Sequence, residues 1–338
     1  MSKQRLAWLD TGRGLGAIWV MAAHFIQHFP IHSQSEPLIK NYIVLGRAGV
    51  VLFFCISGFI IPYTLFKSNL KDFIINRIFR LYPIYWFAIL TLIVIESKKF
   101  DFITLLSNLL MIPGFLGVKY IIYVFWTLEV ELIFYILCGI YYSKNLLNNE
   151  KFISNNIFVF LFLSFLFALL RPYLHIPAII FLGLAVMFIG VRVYIKKSLD
   201  FKFFIIFLLS VIPISFLEKK SLFLSFMPAY FLGLSSFITL YNLQNLKANF
   251  LSFLGKISYS IYLLHLPVGI YFLNFYTLNY NVYAGVAAAV VSVILTSYLT
   301  YTFIEKKFTN IGRYIIKRYT NRELNYNCIE KEILINET

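Results

Sequence analysis

Apolar runs of about twenty residues recur along the whole of this 338-residue chain, and few folds accommodate them. A helix of that length rises roughly 30 Å, the thickness of a bilayer's hydrocarbon core. Closed barrels are the other way to cross a membrane, but their strands are short and alternating. These runs are continuous, so the expected fold is all-α. Composition agrees: 60% of residues are hydrophobic and 13% charged, against about 25% charged in soluble domains.

Ten spans are expected, near 15–33, 46–66, 81–96, 124–142, 156–170, 174–194, 203–217, 222–241, 257–275 and 282–304. The first run continues past Ala22 and Ala23 into His24 and Phe25, so it is expected to be a retained helix and not a cleaved signal peptide. Residues 102–117 are also apolar but contain Pro113, Gly114 and Gly117, which leaves open an eleventh span or a re-entrant segment. Loop charge separates these readings. With ten spans and a cytoplasmic N-terminus, 22 of the 30 Lys and Arg lie inside and 8 outside. An eleventh span reduces the inner count to 11 and raises the outer to 19. Basic residues favour cytoplasmic loops, so ten spans with both termini in the cytoplasm are expected. The net charge of +15 then reflects topology, and no nucleic-acid partner is expected. Cys55 and Cys138 lie in apolar runs and Cys328 near the end, which is not a disulfide framework.

Polar residues inside such spans cost several kcal/mol unless they face a cavity or a partner. Asp10 and Arg13 open the first helix, and His24 and His28 lie within it. Arg13 and His24 are 11 residues apart, about 20° from a common face and roughly 16 Å apart along the axis. Asp10, three residues before Arg13, can pair with it. Arg77 and Arg80, at i and i+3, share a face at the entry to helix 3 and suit a phosphate-bearing ligand. Glu129 and Glu131 point about 160° apart, so they are not expected to line one cavity.

Blander readings stand beside these. Arg77 and Arg80 serve equally as membrane-boundary anchors. His28 and His265 carry no local sign that separates packing from function. Glu305, next to Lys306 and Lys307, reads as an interfacial ion pair. Ser57-Gly58 reads as a close-packing spot.

Taken together, several segments resemble the membrane-bound acyltransferase-3 family. LDTGRGLGAIWVMAAH (9–24) is similar to its opening motif, an Arg ahead of an intramembrane His. GVVLFFCISGFII (49–61), RIFRLYPIYW (77–86) and WTLEVELIFY (126–135) resemble its motifs for helices 2, 3 and 4. ISYSIYLLHLPV (257–268) and FIEKKF (303–308) resemble its last two. Val51 stands where many members have an acid, and Lys307 where many have Pro.

The resemblance implies a transmembrane acyltransferase domain over 1–307 and a short polar cytoplasmic tail over 308–338, without the hydrolase-like domain of other members. It implies a multi-pass protein of the bacterial inner membrane, surrounded by lipid. It would move an acyl group, expected to be acetyl, from cytoplasmic acyl-CoA to a hydroxyl of an envelope glycan or its lipid-linked precursor. Arg77 and Arg80, with Arg13, would hold the CoA phosphates. His24 would act as general base with Glu131 as its acidic partner, Asp10 being the poorer choice, and a covalent acyl-His route stays open. No metal is expected. A small-molecule acceptor stays open, and so does a proton-coupled transporter, although no paired repeat of the transporter kind is evident.

Overall fold

The computed structural model describes residues 7–28, 36–97, 99–171, 173, 177–198, 200–218, 223–245 and 249–320. Thirteen α-helices run through them: α1 (Ala7–Gln27), α2 (Glu36–Leu65), α3 (Leu70–Glu96), α4 (Phe102–Leu109), α5 (Trp126–Ser143), α6 (Glu150–Leu169), α7 (Ala178–Lys196), α8 (Phe201–Glu218), α9 (Phe223–Asn242), α10 (Asn249–Lys256), α11 (Ser258–Leu264), α12 (Tyr271–Asn279) and α13 (Val282–Thr300). Among the described residues there is no strand, so the all-α expectation holds.

Among the described residues, seven segments are long and apolar enough to cross a membrane: Val44–Leu65, Leu70–Glu96, Tyr123–Ser143, Glu150–Leu169, Ala178–Lys196, Ser258–Asn279 and Val282–Thr320. They match seven of the ten expected spans. The other three fall on α1, α8 and α9, which are helical without reaching that combination of length and apolarity among the described residues. Apolar side chains such as Leu90, Val94, Phe162 and Leu295 stand exposed on the bundle surface, as a lipid-facing exterior requires.

Small residues set how closely the helices cross. A methyl group on Gly58 of α2 would run into the backbone carbonyl of Met187 in α7, and one on Gly190 would meet that of Cys55. Ser57-Gly58 is therefore a packing spot at its glycine. Gly14 and Gly255 make the same kind of backbone approach between α1 and α10. Cys55 and Cys138 are buried free thiols; Cys328 lies outside the described residues.

Two boundaries differ from the sequence reading, and one segment that it left open takes a defined form. First, α3 begins at Leu70, with the Asn69 side chain accepting the Asp72 N–H at 2.7 Å, so Arg77 and Arg80 lie inside the helix and do not precede it. Second, 102–117 is not a continuous span. It holds α4, eight residues and far short of crossing, and then irregular backbone satisfied by side chains. The buried Asn108 amide donates to the carbonyls of Thr104 and Lys119 and accepts from the Ile121 N–H. Third, the chain stays helical past Lys307 to Thr320, where the Gly312 backbone packs on Phe79 of α3.

Two π-helical segments interrupt the last long helices, His265–Ile270 between α11 and α12 and Tyr301–Glu305 after α13. Pro267 sits in the first and has no N–H for the regular ladder. Such π-bulges often mark functional sites, and each of these carries a buried polar residue, His265 and Glu305.

Candidate functional site

The polar residues singled out above sort into two cavities. One, of about 80 Å³, lies toward the N-terminal end of α1 and is lined by Arg13, Arg77, Arg80 and Glu131, with Ser57 and Tyr135. The other, of about 320 Å³, lies toward the opposite end of α1 and is lined by His24, Gln27, Arg47, Tyr123, Trp126 and Tyr230 among others. Val50, Phe54 and Tyr262 line both, so the two cavities meet at a three-residue wall.

In the arginine cavity three guanidiniums face one carboxylate, an excess of positive charge where a buried charge is costly. Arg77 Nη2 donates to Thr64 Oγ1 at 3.0 Å, and its Nε is buried with no hydrogen-bond partner among the described residues. Arg80 Nε lies 3.9 Å from Glu305 Oε1. Glu131 accepts from Ser57 Oγ at 3.1 Å and from the Tyr135 hydroxyl. Arg13, on α1, lines the same cavity as Arg77 and Arg80, on α3.

The histidine cavity is arranged differently. His24 Nδ1 lies 2.9 Å from His265 Nε2, the ring planes 27° apart and the centroids 5.0 Å apart, so the rings meet edge to edge. His24 also meets the Tyr123 ring edge-on at 5.4 Å. His28 Nδ1 bonds the His24 carbonyl at 2.9 Å, a local tie at the end of α1.

Glu131 is therefore not the ring partner of His24 that was expected; it lies in the arginine cavity, on Ser57 and Tyr135. Asp10 is buried at the far end of α1, against the α10 backbone, and is not the partner either. The ring's hydrogen-bond partner is His265, from a segment 241 residues on. Glu129 and Glu131 do part company, as their spacing required. Glu129 is buried, accepts the N–H groups of Gly114 and Phe115 at 3.1 and 2.9 Å and bonds the Tyr120 hydroxyl, so it holds the irregular 110–122 segment. Glu305, expected to pair with its neighbouring lysines at the interface, is buried and its described ion pair is with Arg80. Lys306 and Lys307 lean over the rings of Tyr301 and Phe303.

Arg192 was not singled out from sequence. It is buried, with its NH2 group 3.3 Å from Glu150 and 3.2 Å from Asp200, and it ties α6, α7 and α8 together away from both cavities. Among the described residues, no three His, Cys, Asp or Glu side chains converge to hold a metal.

A family model described as an acyltransferase domain matches residues 6–303, which include every residue lining the two cavities. An O-acetyl transferase of Shigella phage Sf6 is 32% identical over 75 residues, covering 22% of this chain and 22% of that protein. The chain thus matches less than a quarter of the length of that curated relative. No solved structure matches the chain.

Proposed function

The chain belongs to the acyltransferase-3 family, and from that premise we propose that it transfers an acyl group, acetyl being the expected one, from acyl-CoA to a hydroxyl of an envelope glycan or its lipid-linked precursor. The similarity to an O-acetyl transferase supports transfer to oxygen. The observation that carries the proposal is the meeting of the two cavities at Val50, Phe54 and Tyr262, one lined by guanidiniums and the other by a histidine.

The donor's phosphates would sit with Arg13, Arg77 and Arg80. Guanidiniums bind phosphate oxygens through paired N–H donors, and the partnerless buried Arg77 Nε suits such a ligand. The thioester would then lie toward the wall shared with the histidine cavity. In the ten-span topology this end of α1 faces the cytoplasm, where acyl-CoA is made, and the histidine cavity faces outward, in the inner membrane. The acceptor hydroxyl would enter from that side.

His24 would take the hydroxyl proton at Nε2 as the oxygen attacks the thioester carbonyl. A C–O bond forms, the C–S bond breaks, and the proton passes from Nε2 to the departing thiolate. Glu131 then belongs to the donor side, where it accepts hydrogen bonds from Ser57 and Tyr135 and offsets part of the arginine charge.

The test is to delete the gene and measure base-labile O-acyl ester on the envelope polysaccharide, complementing with wild type, His24→Ala, or the pair Arg77→Ala and Arg80→Ala. Membrane levels of each protein are measured alongside. Ester restored by wild type and by neither variant is the expected result. Full restoration by His24→Ala removes the base, and ester unchanged by deletion removes the glycan acceptor.

A further inference from the structure

We propose that His265 is a positioning residue that fixes the tautomer of His24 and leaves His24 Nε2 bare for the acceptor's proton; this rests on the reading of His24 as the base. The His265 ring is fully buried. Its Nδ1 lies 2.7 Å from the Tyr262 carbonyl and 3.2 Å from the Ile261 carbonyl. A carbonyl oxygen only accepts, and a bare nitrogen at that distance would face it lone pair to lone pair. Nδ1 therefore carries a hydrogen and donates it.

The remaining nitrogen follows. Among the described residues no carboxylate is hydrogen-bonded to either ring: Glu129 bonds Gly114, Phe115 and Tyr120, and Glu131 bonds Ser57 and Tyr135. A buried imidazolium without a partner is costly, so His265 is neutral and its Nε2 accepts. The group 2.9 Å away is His24 Nδ1, which must then be the donor. Neutral His24 consequently carries its hydrogen on Nδ1 and has an open lone pair on Nε2. Nε2 has no hydrogen-bond partner among the described residues, and the ring lines the larger cavity.

Local backbone holds this chain of bonds in place. The π segment begins at His265, and Pro267 keeps the ladder from closing regularly there. Gly269 lets the Phe25 ring, next in sequence to His24, lie directly on the π segment. An imidazole thus does for His24 what a carboxylate does in a hydrolase triad, with the site kept neutral inside the membrane. When His24 takes a proton at Nε2, its Nδ1–H continues to donate to His265.

The experiment uses full-length protein in nanodiscs, labelled with 15N histidine. His24 is assigned by difference from His24→Ala. In wild type, His24 should show the Nδ1–H form. His265→Leu should release that preference and lower kcat on the order of 100-fold with KM for acetyl-CoA unchanged, since the arginines hold the donor. His265→Gln, whose amide offers an oxygen to His24 Nδ1–H and an NH2 to the carbonyls, should restore most of the rate. A His24 that keeps Nδ1–H in His265→Leu, or a His265→Leu enzyme with wild-type kcat, overturns the proposal. An active His24→Ala enzyme overturns the base reading instead, and the nitrogen signals still report the hydrogen bond on their own. If His265→Leu does not fold, a His265→Gln enzyme that folds but stays as slow as His24→Ala overturns the proposal.

Discussion

Arg80 Nε lies 3.9 Å from Glu305 Oε1, linking α3 to the π segment that follows α13. The pair sets where one of three guanidiniums sits beside the arginine cavity. Glu305→Gln removes the charge that holds Arg80 and keeps the side chain's size. On the proposed donor site, KM for acyl-CoA should rise several-fold, with kcat close to wild type. Adding Glu305→Gln to Arg80→Ala should cost little more than Arg80→Ala alone, because both remove one interaction. Steady-state kinetics on the two single variants and the double variant check this; additive losses would show that Glu305 acts independently.

Glu129 and Glu131 offer a contrast two residues apart. Glu129 accepts three hydrogen bonds from the irregular segment between α4 and α5. Each such hydrogen bond contributes about 0.5–1.5 kcal/mol, so Glu129→Ala, which removes three, should lower the melting temperature in detergent. Glu131 faces the arginine cavity, and Glu131→Gln should retain the fold, since the amide oxygen still accepts from Ser57, while activity falls about tenfold or more. Melting curves and initial rates on both proteins separate the roles. Equal thermal stability in Glu129→Ala and wild type would sink the structural reading of Glu129.

Much of this was legible in the sequence because it depends on local geometry. The placement of the spans put Arg13, Arg77 and Arg80 at one end of the bundle and helix periodicity parted Glu129 from Glu131, and the structure does the same. What could not be read depends on chain distance and on irregular backbone. Nothing near His24 announces His265, and nothing in FIEKKF distinguishes a glutamate facing the lysines from one turned inward to Arg80. Both residues sit on π segments, where the face of a regular helix no longer predicts direction. The 102–117 stretch stayed open in the sequence because its apolar composition also suits a span, while Asn108 and Glu129 satisfy its backbone as a short helix and loop.

Away from the cavities, Asp200 holds Arg192 and accepts the Phe203 N–H at the start of α8. That N–H, and after it Arg192, keep the Asp200 carboxyl below its usual range. A carboxyl depressed in the folded state stabilises above its unfolded value and loses that contribution as pH falls through the folded one. The wild-type melting temperature should therefore decline further below pH about 4 than that of Asp200→Asn, which keeps the cap but not the charge. Parallel melts from pH 7 to 3 check this, and identical acid sensitivity would remove Asp200 from the account.

The α2–α7 crossing is the contact on which both cavities depend. Gly58 and Gly190 let the two backbones touch, and the neighbouring α2 residues Phe54 and Ser57 are thereby held at the wall and beside Glu131. Gly58→Ala places a methyl group against the Met187 carbonyl, an atom of backbone that cannot rotate away. Overpacking of this kind costs about 1–3 kcal/mol or more, and any separation of the helices would also shift Phe54 away from Tyr262. Loss of activity should therefore exceed loss of folded protein, which size-exclusion recovery and rates per folded molecule measure together. A Gly58→Ala protein that is as stable and as active as wild type would show that α2 and α7 can separate without disturbing the wall.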